Sequence, residues 1–269
     1  MSSRRASIPP RKAPPHLALL ALEPVRAVAE LGLGTLLRRP LTRICPRGDG
    51  HPVLIVPGLG THDVNTLPMR RFVARLGYEA LPWKQGFNLG AREGLDELLS
   101  KLAILIAEST TRRHKKVSLI GWSLGGIFAR ELAKRVPEKV RQVITLGSPF
   151  AGHPSATHAT LVFEWLSGRE AHDRDIIERV RVPPPVPFTS IFSRTDGIVA
   201  WPSSVQAPSG MSENIAVSVS SHLGLITNPV VLYIVANRLA QPDGHWKPHR
   251  PARPLRLLHP SRIGRKTNV

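Results

Sequence analysis

The chain has 269 residues, 42% of them hydrophobic, a formal net charge of +18 and a single cysteine, Cys45. That length holds one α/β domain or two small ones, the composition supplies an ordinary globular core, and one cysteine excludes an intramolecular disulfide and fits a reducing compartment. The charge would mark a nucleic-acid binder were it spread over the chain, but residues 1–48 hold nine Lys/Arg against two acids and residues 242–269 seven against one, so the ends carry +7 and +6 and the stretch between them only +5.

Both ends are rich in proline, as in SIPPRKAPP and KPHRPARPLRLLHPSR. They read as a basic N-terminal extension (1–48) and a basic, disordered tail (242–269) around a folded domain at 49–241. They carry one aromatic, Trp246, and no recognition motif, which argues against nucleic acid. An anionic membrane surface is the partner such clusters attract. From His16 to Leu37 the apolar run is broken by Glu23, Pro24, Arg26 and Glu30. It has no cleavage site and no 18-residue apolar span, so neither a secretory leader nor a spanning helix is expected. It predicts one or two amphipathic helices whose apolar face packs on the domain or lies in a membrane interface. The expected location is cytoplasmic, peripheral to the inner membrane face.

The folded part alternates strands and helices. HPVLIVPGLG (51–60) is a buried strand with a glycine-rich end, and Pro68–Tyr78 is a helix closed by Gly77. A short strand at 79–83 and a helix at 91–110 follow. VSLIGWS leads into a helix from Ile127 to Val136, then a strand at 140–150. Strands at 186–199 and 214–222 and a helix begun by Asn228-Pro229 close the pattern. Nearly all-apolar strands alternating with helices predict a mostly parallel sheet with helices on both faces, with ligands at the strands' carboxyl ends. The stretch 151–185 breaks the rhythm, and ATLVFEWLSG within it is rich in large apolar residues. It reads as a helical, lid-like insertion; a crossover helix with a long loop is the plainer alternative.

The turn GWSLGG (121–126) sits between a strand and a helix. A structural βα turn uses the same glycines, but this context is also the one a nucleophilic Ser123 needs. A serine needs a base, the base an orienting carboxylate, and the oxyanion two donors. Asp196 follows one buried strand and His222 another, in the chain order Ser123, Asp196, His222. The amides of Leu124 and, after the first strand, Leu59 are the expected oxyanion donors. His62, with Asp63, and His153 and His158 are rivals for lining the pocket. No histidine–carboxylate spacing fits a metal ion, and neither metal nor cofactor is expected.

GWSLGG, PFTSIFSRTDGIV and SHLGLI, with TLGSP, resemble the small bacterial lipases of the Bacillus lipase A type within the α/β-hydrolase superfamily. The likeness runs from about Pro52 to Ala240. It implies an α/β-hydrolase fold, a triad of Ser123, Asp196 and His222, and an oxyanion hole at Leu59 and Leu124. The chain departs from that group at Trp122, where those lipases have histidine, at Pro57-Gly58, where they have His-Gly, and in the 151–185 insertion. The implied activity is hydrolysis of an apolar acyl ester, a lipid or a small molecule, through an acyl-enzyme on Ser123. Acyl transfer by the same triad, and a non-catalytic membrane- or nucleic-acid-binding protein on this scaffold, are the alternatives. Oligomeric state is left open.

Overall fold

The computed structural model of the chain describes residues 13–152, 157, 174–207 and 209–250. Six strands, β1 (Pro52–Val56), β2 (Glu79–Leu81), β3 (Val117–Trp122), β4 (Val140–Leu146), β5 (Phe188–Ser193) and β6 (Ser212–Val217), form one sheet in the order β2-β1-β3-β4-β5-β6. Every neighbouring pair is parallel. Strands β1, β3 and β4 are buried at every position, which is why they read as mostly apolar and not as strictly alternating.

Among the described residues the helices are α1 (Leu17–Ile44), α2 (Asp63–Arg75), α3 (Leu95–Arg113), α4 (Leu124–Arg135), α5 (Arg174–Arg181) and α6 (Pro229–Leu239). On one face Leu99, Leu102 and Ile106 of α3 and Ile127, Phe128 and Leu132 of α4 pack on Leu54, Leu119 and Val143. On the other, Met69, Phe72 and Val73 of α2 and Val231, Ile234 and Val235 of α6 cover Ile55, Ile120 and Ile144.

Boundaries moved where side chains outbid a simple signal. Helix α2 starts at Asp63, not Pro68, because the His62 ring accepts the Val64 amide while the Asn65 side chain accepts the His62 amide. Helix α6 starts where expected: Asn228 accepts from Val230 and Val231, and Pro229 fills the first turn.

The N-terminal segment is a single helix, not a pair, and it packs against α2, α6 and the loop after β6. The expected apolar packing face is mostly missing. Leu41 reaches the core, but the inward positions 23, 26 and 30, one helical stripe, are Glu, Arg and Glu. They bond to loop backbone instead, as described below. Of the lid-like insertion, the ATLVFEWLSG stretch lies outside the described residues. Its last part, α5, inserts Ile177 and Val180 into the core region and ends on Arg130. The buried Arg130 guanidinium donates to the carbonyls of Val180, Arg181 and Val182 and stacks 3.9 Å above the Phe150 ring. Residues 242–250 run against β6 and α6: Arg238 donates to the Lys247 carbonyl, and the His249 amide donates to Glu213. The remainder of the basic tail, 251–269, lies outside the described residues.

Candidate active site

Ser123 stands in the turn between β3 and α4 with φ 54° and ψ −123°, a positive-φ conformation that is strained for a residue with a Cβ. Its amide donates to the Leu146 carbonyl at 2.8 Å, tying the turn to the end of β4. The glycines around it are there for space. A Cβ on Gly125 would stand 2.4 Å from the carbonyl oxygens of both Val56 and Pro57, so only glycine lets the start of α4 abut the loop after β1. Leu124 is the first residue of α4, where amide N–H groups have no intrahelical acceptor and the helix dipole is positive.

That loop after β1 is braced by a residue the sequence did not single out. The buried Asn88 side chain donates to the Pro57 carbonyl at 2.7 Å, and its main chain pairs with Gly60 and Thr61. Thr61 also donates its hydroxyl to the Gly58 carbonyl at 2.7 Å. The carbonyls of both Pro57 and Gly58 therefore have donors without the histidine found there in the small lipases. Leu59, half-buried, packs against the core at the tip of the same loop.

Asp196 and His222, beyond the carboxyl ends of β5 and β6, meet at 2.7 Å through Oδ2 and Nδ1. The second carboxylate oxygen of Asp196 accepts the amides of Ile198 and Val199 at 2.9 and 2.7 Å, which fixes its orientation. With the Nδ1 proton directed at Asp196, a neutral His222 ring carries its lone pair on Nε2. Gly147, at φ 58°, borders this pair: a Cβ there would lie 3.1 Å from His222 Nδ1 and 3.2 Å from Asp196 Oδ2. Burial disfavours the imidazolium, but the Asp196 carboxylate beside the ring, with Glu23 further off, outweighs it and raises His222 above its ordinary value. Trp122, next to Ser123, donates its indole N–H to the His222 carbonyl at 3.1 Å and so links the Ser123 turn to the His222 loop. Ser123, Asp196 and His222 are all buried.

Helix α1 grips the loops that carry Asp196 and His222. The buried Glu23 carboxylate accepts the Gly197 amide at 2.8 Å and the His222 amide at 2.9 Å on one oxygen, and the Leu223 amide at 3.1 Å on the other. Arg26 donates to the carbonyl and hydroxyl of Thr195. Glu30 takes the Ser221 amide, the Ser220 hydroxyl and the Asn228 side chain. These contacts join residues nearly 200 positions apart. The sequence signal was the break in the apolar run by Glu23, Arg26 and Glu30, which argues against a membrane span but also marks one inward stripe.

Of the rival histidines, the one among the described residues, His62, has other partners: it caps α2 and meets the Phe87 ring edge-on. His51 lies between Asp49 and Ser118, a second Asp–His–Ser chain, but it sits at the amino end of the sheet with Ser118 fully buried, and burial holds its pKa down at about 4. His153 and His158 lie outside the described residues. Among the described residues, no cluster of three His, Cys, Asp or Glu side chains is placed to hold a metal ion, and no helix is long and apolar enough to cross a membrane.

The parallel sheet and the site at its carboxyl edge define an α/β-hydrolase fold, and solved structures of that class share it. Aspergillus fumigatus lipase B superposes with a TM-score of 0.55 at 18% identity, over 73% of this chain and 54% of its own. An α/β superfamily hydrolase from Oenococcus oeni superposes with a TM-score of 0.51 at 14% identity, over 71% of this chain and 91% of its own. Residues 52–179 match the Palmitoyl protein thioesterase family. A stretch of 56 residues is 41% identical to the biotin biosynthesis bifunctional protein BioHC of Teredinibacter turnerae, covering 21% of this chain and 9% of that one. The chain thus spans about half the length of the lipase B and a small part of BioHC.

Proposed function

We propose that this protein is a serine hydrolase of apolar acyl esters. The observation that carries the reading is the 2.7 Å Asp196–His222 pair, joined through the neighbouring Trp122 indole to the turn of a strained, buried Ser123 at the carboxyl edge of the sheet. Lipases and hydrolases among the structures of the same fold support it. In this reading His222 Nε2 takes the Ser123 hydroxyl proton as Oγ bonds to the ester carbonyl carbon. The carbonyl oxygen becomes an oxyanion held by the Leu59 and Leu124 amides, each contributing about 3 kcal/mol to lowering the barrier. Collapse breaks the bond to the leaving alkoxide, which receives the proton from His222. Water then attacks the acyl-serine by the same route in reverse, releasing the acid and restoring the serine. Asp196 keeps the imidazole in its tautomer and stabilises its cation.

The match to the thioesterase family supports a second leaving group, a thiolate, on the same acyl-enzyme. A fluorophosphonate probe followed by peptide mapping tests the reading. Stoichiometric labelling at Ser123 is expected; a folded protein that takes no label is a non-catalytic scaffold. Incubation of oxygen esters and thioesters of graded chain length, with and without competing alcohols, then separates hydrolysis from acyl transfer by the products formed.

The brace on the oxyanion loop gives a finer expectation. Asn88→Ala leaves the Pro57 carbonyl without its buried donor and loosens the loop carrying the Leu59 amide. The expected fall in kcat is about 10- to 100-fold with KM little changed. Steady-state hydrolysis of a short-chain chromogenic ester measures it, and an unchanged kcat would remove this loop from the oxyanion hole.

A further inference from the structure

Helix α1 is turned inside out. Between Leu17 and Leu37 its charged residues are Glu23, Arg26 and Glu30, and all three bond inward to the loops around His222. The outward side of the same stretch carries Leu17, Leu22, Val25, Val28, Leu33 and Leu36, each 48–73% exposed. A surface helix facing only water shows the reverse pattern, and a contiguous apolar face marks an interaction surface. Beyond Leu37 the helix turns basic, with Arg38, Arg39 and Arg43, while Arg71 and Arg75 of α2 lie close enough to Arg38 to repel its charge.

We propose that the outer face of α1 docks on an anionic lipid surface. The leucines and valines enter the headgroup boundary, and the arginines at the carboxyl end of the helix face lipid phosphates. This arrangement, an apolar face with a basic flank, is that of a helix lying in a membrane interface. A second copy of the chain fits the face poorly. Both acids of α1 are turned inward, so a symmetric pairing brings the arginines to a surface that offers them no carboxylate from α1. Lipid phosphates supply the missing negative charge. Two more exposed apolar side chains, Val219 and Leu223, stand on the loop that carries His222 and that α1 grips. Docking through α1 therefore holds the loop that α1 grips near the lipid, behind the helix.

This inference does not rest on the hydrolase reading, because binding is read without turnover. The full chain is sedimented with vesicles of phosphatidylcholine mixed with phosphatidylglycerol and with vesicles of phosphatidylcholine alone, at low and high salt. Binding is expected on the mixed vesicles and at least about tenfold weaker on the neutral ones, falling as salt rises. Val25→Glu with Val28→Glu, both at exposed positions, should weaken binding at least about tenfold while leaving a cooperative melt. Arg39→Glu with Arg43→Glu should weaken binding to the anionic vesicles alone, and it serves as the second variant should the first melt early. Binding that survives both double variants overturns the proposal. So does a dimer, seen by light scattering, that Val25→Glu with Val28→Glu dissociates, since a second copy would then cover the face.

Discussion

Ser123→Ala is expected to lower kcat for a short-chain ester by about 10⁶-fold, leaving only what oxyanion stabilisation and binding provide. The size follows from the arrangement. The Asp196–His222 pair has nothing to deprotonate once Oγ is gone, so base, acid and nucleophile fail together. The structure adds a stability signature that a merely inactive variant would lack. Ser123 holds φ 54°, ψ −123° against the preference of any residue with a Cβ. Ser123→Gly relieves that strain, about 1–3 kcal/mol, against a chain-entropy cost of about 0.5–1 kcal/mol. The net gain of about 1 kcal/mol should raise the melting temperature by about 2–4 °C while activity is lost as fully as in Ser123→Ala. Thermal melts of the three proteins beside steady-state rates measure both effects. A Ser123→Ala protein that still turns over at the parent rate would end the serine-hydrolase proposal.

Much of the fold is legible in the sequence because the strands are buried on both faces. Their apolar runs, at 52–56, 117–122 and 140–146, stand apart from helices whose apolar residues recur every three or four positions. Ser123, Asp196 and His222 stand out as candidates for a related reason. Each stands at or just past a strand's carboxyl end, where an α/β sheet presents its functional side chains, and the chain order is informative in itself. What escapes is whatever depends on distant pairing. Asn88 reads as one more polar loop residue until its side chain is found on the Pro57 carbonyl. Helix α1 reads as amphipathic because such helices bury their apolar stripe, and the inverse use, with charges bonding inward to backbone amides, shows locally only as Glu23, Arg26 and Glu30 on one stripe. The segment most suited to a lid, around Phe163 and Trp165, lies outside the described residues.

Glu23 carries the largest expected effect outside the proposed triad. One buried carboxylate holds the amides of Gly197, His222 and Leu223, and so sets the Asp196 loop against the His222 loop. Glu23→Ala strips three amides of their acceptor at a cost of about 1–3 kcal/mol each, and the displaced His222 should lower kcat by about 100-fold. Glu23→Gln separates position from charge, because its amide oxygen still accepts while the negative charge is gone. The charges facing His222 are Asp196 from the β5 loop and Glu23 from α1, and both raise its pKa against the opposing effect of burial. Removing the second lowers that pKa. In the proposed mechanism His222 must be neutral to take the serine proton, so the rising acid limb of kcat/KM should move to lower pH in Glu23→Gln, with a plateau within about tenfold of the parent. A helix that merely covered the site would lower the plateau of Glu23→Ala through lost folded protein and leave the limb of Glu23→Gln where it was. The pH profiles of the two variants, each normalised to the fraction labelled by a fluorophosphonate probe, distinguish a positioning residue from a cover. An acid limb that stays in place, together with a parent-like kcat in both variants, would show that α1 does not set the geometry of the site.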